Sequence, residues 1–160
     1  MTTPTRNLVI YEVFVRQHGP RGTFADVEAD LPRIRDLGVD IVWLMPIHPI
    51  GKVARKGSLG SPYSIADYRA VNPEYGTLGE FTRLADAVHA HGMRLMIDVV
   101  YNHTAHDSRL AAEHPGFFHQ DADGRPVTTV PDWSDVIDLR HGSPGLDEEL
   151  ISTLELWVDR

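Results

Sequence analysis

Apolar residues along this chain fall into two alternating rhythms. Leu8-Val9-Ile10-Tyr11-Glu12-Val13-Phe14-Val15 is β-branched and aromatic, which predicts a buried strand. Gly19-Pro20-Arg21-Gly22 breaks it. Thr23 then caps a helix, with Asp26 in the acidic place of a capping box. Phe24, Val27, Leu31, Ile34 and Leu37 recur at helical spacing, and Gly38 ends the helix as a left-handed cap. Val39 to Met45, apolar apart from Asp40, predicts a second strand, parallel to the first and covered on both faces. The rhythm then repeats. A helix from about Leu78 to His91 presents Phe81, Leu84, Ala85 and Val88 on one face, Gly92 stops it, and Met93 to Val100 is a third strand. Strand, helix, strand, helix, strand is the signature of right-handed crossovers and a parallel sheet of the α/β class.

Between these elements the chain is polar and irregular. Residues 46–76 form a long loop that holds many of the glycines and prolines. Thr104 to Arg140 is rich in Asp, His, Pro and Gly with weak periodicity, and a loop of that length is a functional segment or an inserted subdomain. Helical spacing returns from Asp147 to Val158 through Leu150, Ile151 and Leu154.

Composition narrows the classes. The 160 residues suffice for one domain with a core. Fifteen Lys and Arg against 23 Asp and Glu give a formal charge of -8, which argues against nucleic-acid binding. The densest basic stretch is Lys52-Val53-Ala54-Arg55-Lys56. No cysteine is present, so disulfides, thiol nucleophiles and thiolate metal sites are excluded. Glu12 and Arg16 interrupt the first apolar run, and no later stretch would span a bilayer, so a soluble, cytoplasmic protein without membrane partners is the expectation.

The chemistry concentrates in Leu95-Met96-Ile97-Asp98-Val99-Val100-Tyr101-Asn102-His103. A carboxylate in an apolar run costs several kcal/mol unless it is paired. One reading places Asp98, Asn102 and His103 at the carboxyl end of a parallel strand, where α/β folds build their sites. The other is an aspartate satisfied by backbone amides beside an ordinary loop. Spacing leaves both open. His103, His106 and Asp107 also match the ligand types of a metal-dependent hydrolase. Tyr63 and Tyr68, in a polar frame with Gly57 and Gly60, are candidate stacking platforms. Asp132, Asp135 and Asp138 around Trp133-Ser134 are oxygen donors for a hard cation or, equally, a solvated acidic loop.

Taken together, these stretches resemble the alpha-amylase family of glycoside hydrolases, which acts on alpha-linked glucans. Asp98-Val99-Val100-Tyr101-Asn102-His103 matches that family's Asp-Val-Val-x-Asn-His signature in full. Ile10 to Phe14 resembles its first barrel strand, Trp43 to Ile47 its second, and Gly60 to Tyr68 with Val71 to Thr77 the loop leading to its second helix. The resemblance implies a partial (β/α)8 barrel: the first three β/α units plus the start of an inserted loop domain. It divides the chain at 1–103, 104–140 and 141–160. It implies that Asp98 supports the site, that His103 donates a hydrogen bond to the bound sugar and that Tyr63 stacks beneath it. Asn102 and Asp138 become calcium ligands, although Arg140 stands where that family usually has an asparagine or aspartate.

Retaining glycosidases need two carboxyl groups about 5–5.5 Å apart, and in this family they lie on the fourth and fifth strands. No segment of this sequence matches them, so no catalytic residue is assigned. The expectation is a fragment of an alpha-glucan-active retaining glycosidase, inactive alone and self-associating through open sheet edges. The rival classes are a non-catalytic carbohydrate- or partner-binding module and, less favoured, a metal-dependent hydrolase.

Overall fold

The computed structural model describes residues 7–158, and they divide into two compact units. The first, residues 7–47 with 71–98, holds β1 (Ile10–Val13), α1 (Phe24–Asp36), β2 (Ile41–Leu44), α2 (Leu78–Ala90) and β3 (Arg94–Ile97). The strands form one parallel sheet in the order β1-β2-β3, with Ile10 opposite Ile41 and Ile41 opposite Arg94. Two right-handed crossovers therefore lay both helices on one face.

Local chemistry starts and stops these helices. The Asp26 carboxylate accepts from the Thr23 and Arg21 amides and from the Arg21 guanidinium, so one side chain caps the N-terminus of α1 and anchors the turn before it. Thr77 and Glu80 make the reciprocal bonds at α2. Gly38 and Gly92, at φ +79° and +76°, turn the chain into β2 and β3 through a left-handed step that a Cβ would oppose. Phe24, Val27, Leu31 and Ile34 of α1 and Leu84 and Val88 of α2 are fully buried. Phe24 meets Tyr75 and Phe81 edge to face, at 6.1 and 5.7 Å between centroids.

The sheet differs from expectation in three ways. The strands are shorter than their apolar runs: β1 stops at Val13, and Val15–Gln17 forms a 3-10 turn. β1 is not buried as a whole, because Val9 and Ile10 are about half exposed. Nor is β2 covered on both faces. Val13, Val42 and Leu44 are sealed, but the opposite face, with Ile10, Glu12, Arg94 and Met96, is open and leaves Ile41 and Trp43 half-buried. Among the described residues no layer of this unit packs there.

The second unit, residues 48–70 with 99–158, contains β4 (His103–Thr104), α3 (Arg109–Glu113), β5 (Ile137–Asp138) and α4 (Leu146–Val158). The segment read as weakly periodic loop thus holds two short antiparallel strands, with His103 opposite Asp138, and a helix capped by Ser108. Its core gathers Ile65, Tyr68, Leu110, Phe118, Ile137 and Leu146. Tyr68 is central and 4% exposed, and its hydroxyl donates to the carbonyls of Val100 and His103 at 2.8 and 3.0 Å. The Trp157 indole donates to the Tyr68 carbonyl and so ties α4 to this core. Acidic Asp147, Glu148 and Glu149 fill the first turn of α4, where the helix dipole favours them. No helix among the described residues is long and apolar enough to cross a membrane.

Candidate functional site

Within the second unit a cleft of about 340 Å³ opens between Tyr63, His103, Trp133 and Asp135, with Lys56 and Ser61 at its edge. That volume falls in the range of small-ligand sites, roughly 300–1,000 Å³. Its geometry starts from β4. His103 is fixed by ladder pairing to β5 and by the Tyr68 hydroxyl on its carbonyl. The Asn102 side-chain amide lies 3.0 Å from His103 Nδ1 and donates to it, which places the ring proton on Nε2. Burial lowers the imidazole pKa, against the opposing charges of Asp138 and Asp135 and the hydrogen bond that the ring donates to the Tyr63 backbone carbonyl. The ring is therefore neutral near pH 7 and holds one defined N–H donor.

The facing wall is a loop held by side chains from three other segments. Lys56 Nζ donates to the Asp132 carbonyl at 2.7 Å and pairs with the Asp135 carboxylate at 3.0 Å. His106 Nε2 donates to the Ser134 carbonyl at 3.0 Å, and the Ser64 hydroxyl to the Asp135 carbonyl at 2.8 Å. Between these anchors Trp133 stays 42% exposed, with its ring 5.4 Å from the His103 ring at a steep angle. Tyr63 is half-buried, and its amide donates to the Ser61 hydroxyl, which sets the turn that carries it. The result is two aromatic surfaces, one imidazole donor, one ammonium and one carboxylate around a cleft, a set matched to a ring with apolar faces and hydroxyl edges.

The sequence-derived candidates distribute unevenly. Tyr63, Asn102, His103 and Asp138 gather in this unit. Asp98 belongs to the other one, half-buried immediately beyond the carboxyl end of β3, where its amide donates to the Leu44 carbonyl at 2.9 Å. It is not sealed in a dry core, because β3 ends at Ile97 and its sheet face is open. Tyr68 is no platform: its ring is packed and its hydroxyl is spent on the backbone. The metal grouping of His103, His106 and Asp107 does not converge. The first is bonded by Asn102, the second by Ser134, and the Asp107 carboxylate accepts from the Lys52 and Val53 amides. Among the described residues no three His, Cys, Asp or Glu side chains come close enough to hold a metal. Lys56, Trp133 and Asp135 were not placed in this site by sequence reasoning. An aromatic flanked by acids and a lysine among glycines were the only signals available.

Asp138 and Asn102 bear on calcium. Asp138 Oδ2 accepts from the Thr129 amide and hydroxyl at 2.7 and 2.5 Å, whereas Oδ1 is buried with no hydrogen-bond partner among the described residues. A carboxylate oxygen left bare in that way is one donor of the six to eight that a hard cation takes. Asn102 is exposed and its amide nitrogen is committed to His103, so it would offer only its carbonyl oxygen.

The comparisons with known proteins agree with one another. The family profile described as "Alpha amylase, catalytic domain" matches residues 7–122. An alpha-1,4-glucan:maltose-1-phosphate maltosyltransferase of Burkholderia pseudomallei is 36% identical over 177 residues, covering 93% of this chain and 15% of its own length. The crystal structure of an alpha-amylase from Lactobacillus plantarum is 57% identical with a TM-score of 0.94, over 96% of this chain and 36% of that one. A maltogenic alpha-amylase, AmyB, from Thermotoga neapolitana is 40% identical with a TM-score of 0.91, over 96% and 37%. The chain thus spans about a third of these solved relatives, and its parallel sheet with two crossovers is part of a (β/α)8 barrel. By the profile match and by these relatives, the chain belongs to the alpha-amylase family, as the amino-terminal part of its catalytic domain.

Proposed function

We propose that this chain supplies the sugar-holding half of an alpha-glucan-active enzyme's active site. The cleft between Tyr63 and His103 carries the proposal. A tyrosine face and a neutral imidazole with its proton fixed on Nε2 are suited to a glucosyl ring and one of its hydroxyls. Tyr63 stacks against the ring, His103 donates to it, Asn102 sets the imidazole tautomer, and Asp98 supports the carboxyl end of β3. The printed activities of the relatives, amylase and glucan maltosyltransferase, support an alpha-linked glucan or maltooligosaccharide as the substrate class.

Bond cleavage is assigned to carboxyl groups outside these 160 residues, so the chain by itself binds without turnover. Calcium, if bound, is held by Asp138 with Asn102 and neutralises the carboxylate beside His103; it takes no part in cleavage. The experiment pairs binding with turnover. Saturable binding of methyl α-glucoside or maltose, followed by NMR and lost in His103→Ala, with no reducing sugar released from starch, is expected. Release of reducing sugar that His103→Ala abolishes would overturn the assignment of cleavage. Absence of any sugar binding by the folded chain would overturn the site itself.

A further inference from the structure

We propose that α4 sets the geometry of the sugar site from outside the cleft, and that Tyr68 and Tyr101 are the positioning residues through which its placement reaches His103. The proposal rests on the sugar site described above and adds to it the element that holds that site in shape.

The bend that delivers His103 is held by its carbonyls. The Tyr101 carbonyl accepts from His141 Nε2 at 2.8 Å, and the Asn102 carbonyl from the Leu139 amide at 2.9 Å. The carbonyls at the two ends of the bend, of Val100 and His103, both accept from the Tyr68 hydroxyl, at 2.8 and 3.0 Å. A hydroxyl carries a single proton, so both carbonyls share one O–H. The chain from Val100 to His103 has to curl around that oxygen, and displacing the oxygen displaces the histidine. Burial raises the phenol pKa of Tyr68 and of Tyr101, so each hydroxyl keeps its proton at neutral pH.

That oxygen is placed in turn by α4. The Trp157 indole donates to the Tyr68 carbonyl at 2.8 Å, the Leu150 carbonyl accepts from the Tyr101 hydroxyl at 3.1 Å, and the Thr153 hydroxyl meets the same Tyr101 oxygen. Leu150, Thr153 and Trp157 are spaced as i, i+3 and i+7, so they share one face of the helix. Arg69, beside Tyr68, reaches Glu149 and Ser152 of the same helix at 2.8 and 2.5 Å. The rings of Tyr68 and Tyr101 meet edge to face, 5.1 Å between centroids. One helix therefore fixes both segments that lead into the cleft: Tyr68 and Arg69, downstream of Tyr63, and Tyr101, upstream of His103. Phenylalanine at both positions would fill the same space. The hydroxyls add direction, which packing alone does not supply. Tyr101 also occupies the place that the Asp-Val-Val-x-Asn-His signature leaves open, so the signature assigns it no role.

The test reads position apart from stability. The 160-residue chain is titrated with maltose by NMR, and the nitrogen shifts of the His103 ring, which need no sugar, are followed in the same samples. Tyr68→Phe and Trp157→Phe each keep a ring and delete one donor. Tyr68→Phe is expected to weaken maltose binding about fivefold, the contribution of one hydrogen bond, and Trp157→Phe by a smaller factor in the same direction. The wild-type ring should report the Nε2-protonated tautomer set by Asn102, and the relaxed bend of Tyr68→Phe a mixture of tautomers. The two losses should not add in the double variant, because both act through the placement of Tyr68. Val27→Ala, a fully buried truncation in α1, also lowers stability and should change neither readout. Folded Tyr68→Phe and Trp157→Phe that bind maltose as wild type does, with unchanged ring shifts, overturn the proposal and leave the sugar site standing. Losses reproduced by Val27→Ala assign the effect to stability and overturn it too. Wild-type protein that binds no sugar overturns the site itself, while the ring shifts still decide whether α4 holds His103. If Tyr68→Phe does not fold, Trp157→Phe decides by the same two readouts.

Discussion

Acid should unfold this protein through His48, and the effect is large enough to measure. His48 is fully buried, with its ring 5.9 Å from that of Tyr68 and 5.3 Å from that of Trp157. Nδ1 donates to the Ala70 carbonyl at 3.1 Å, while Nε2 is buried without a partner. Protonation would put a charge in that pocket and a second N–H with no acceptor. Burial pulls the pKa from 6.5 down to about 4, against the weaker pull of the Ala70 bond and the Asp67 charge. The unfolded chain takes up a proton as pH falls through 6.5 and the native one resists until about 4, so stability is full above the unfolded value and declines as the solution is acidified. The whole window is worth about 3 kcal/mol, of which about 2 kcal/mol is lost by pH 5. Asp30 and Glu80, whose pKa values are lowered by Arg33 and by Thr77, act in the opposite sense of burial and lose their contribution only below the ordinary carboxylate range. His103 shares the direction of His48 but is present in every variant compared. Urea unfolding at pH 7 and pH 5 therefore isolates His48 when wild type is compared with His48→Gln, which keeps an amide donor for Ala70 and cannot ionise. Wild type should lose about 2 kcal/mol more than the variant between the two pH values. Equal losses, or a directly titrated His48 resonance with a midpoint near 6.5, would refute the reasoning.

Three further outcomes follow from other parts of the molecule. Phe24→Ala removes a fully buried ring that touches Tyr75 and Phe81, and urea unfolding should show a loss of about 3–5 kcal/mol. The outer edges of β1 and β3 have no partner strand among the described residues, and Val9, Ile10 and Met96 are exposed on or beside them, so light scattering should show concentration-dependent association that Ile10→Lys weakens. Millimolar calcium should raise the melting temperature of wild type relative to chelator but leave Asp138→Asn unmoved; identical shifts in both would remove Asp138 as a ligand.

How much of this was legible beforehand depends on whether the information is local. The capping of α1 by Thr23 and Asp26, the apolar stripes of both helices and the glycine exits at Gly38 and Gly92 are set within four or five residues, and the sequence carries each of them. Burial of strands is not local. Ile10 and Trp43 are as apolar as Val42, but whether they are covered depends on what lies across the sheet. β4 and β5 are two residues each and pair across more than thirty positions, far too short for a period to register. Asn102 and His103 stood out through a signature and Tyr63 through the Gly60-Ser61-Pro62 step before it, and the structure brings Tyr63 and His103 to one cleft with Asn102 bonded to His103. Trp133 was not, because its position depends on carbonyls held by Lys56, His106 and Ser64. Tyr68 shows the converse, since nothing local distinguishes a tyrosine that stacks a ligand from one that hydrogen-bonds the backbone.

The open face of the sheet is informative about the energetics of this part of the barrel. Parallel strands are ordinarily covered on both sides, yet here one face carries Ile10, Ile41, Trp43 and Met96 without a covering layer among the described residues of its own unit, together with the separate charged side chains of Glu12 and Arg94. In a (β/α)8 barrel the inward faces of the strands fill the interior in layers. Ile10, Ile41 and Arg94 stand in register, and Glu12, Trp43 and Met96 form the next row. Each row thus mixes apolar bulk with a charge at one edge strand. An isolated sheet gains from those charges, because they keep an apolar face in solution. A closed barrel must instead find partners for them, since an unpaired buried charge costs several kcal/mol. Glu12 and Arg94 are accordingly the side chains of this sheet that a closed barrel has to meet with polar groups or water rather than with apolar side chains.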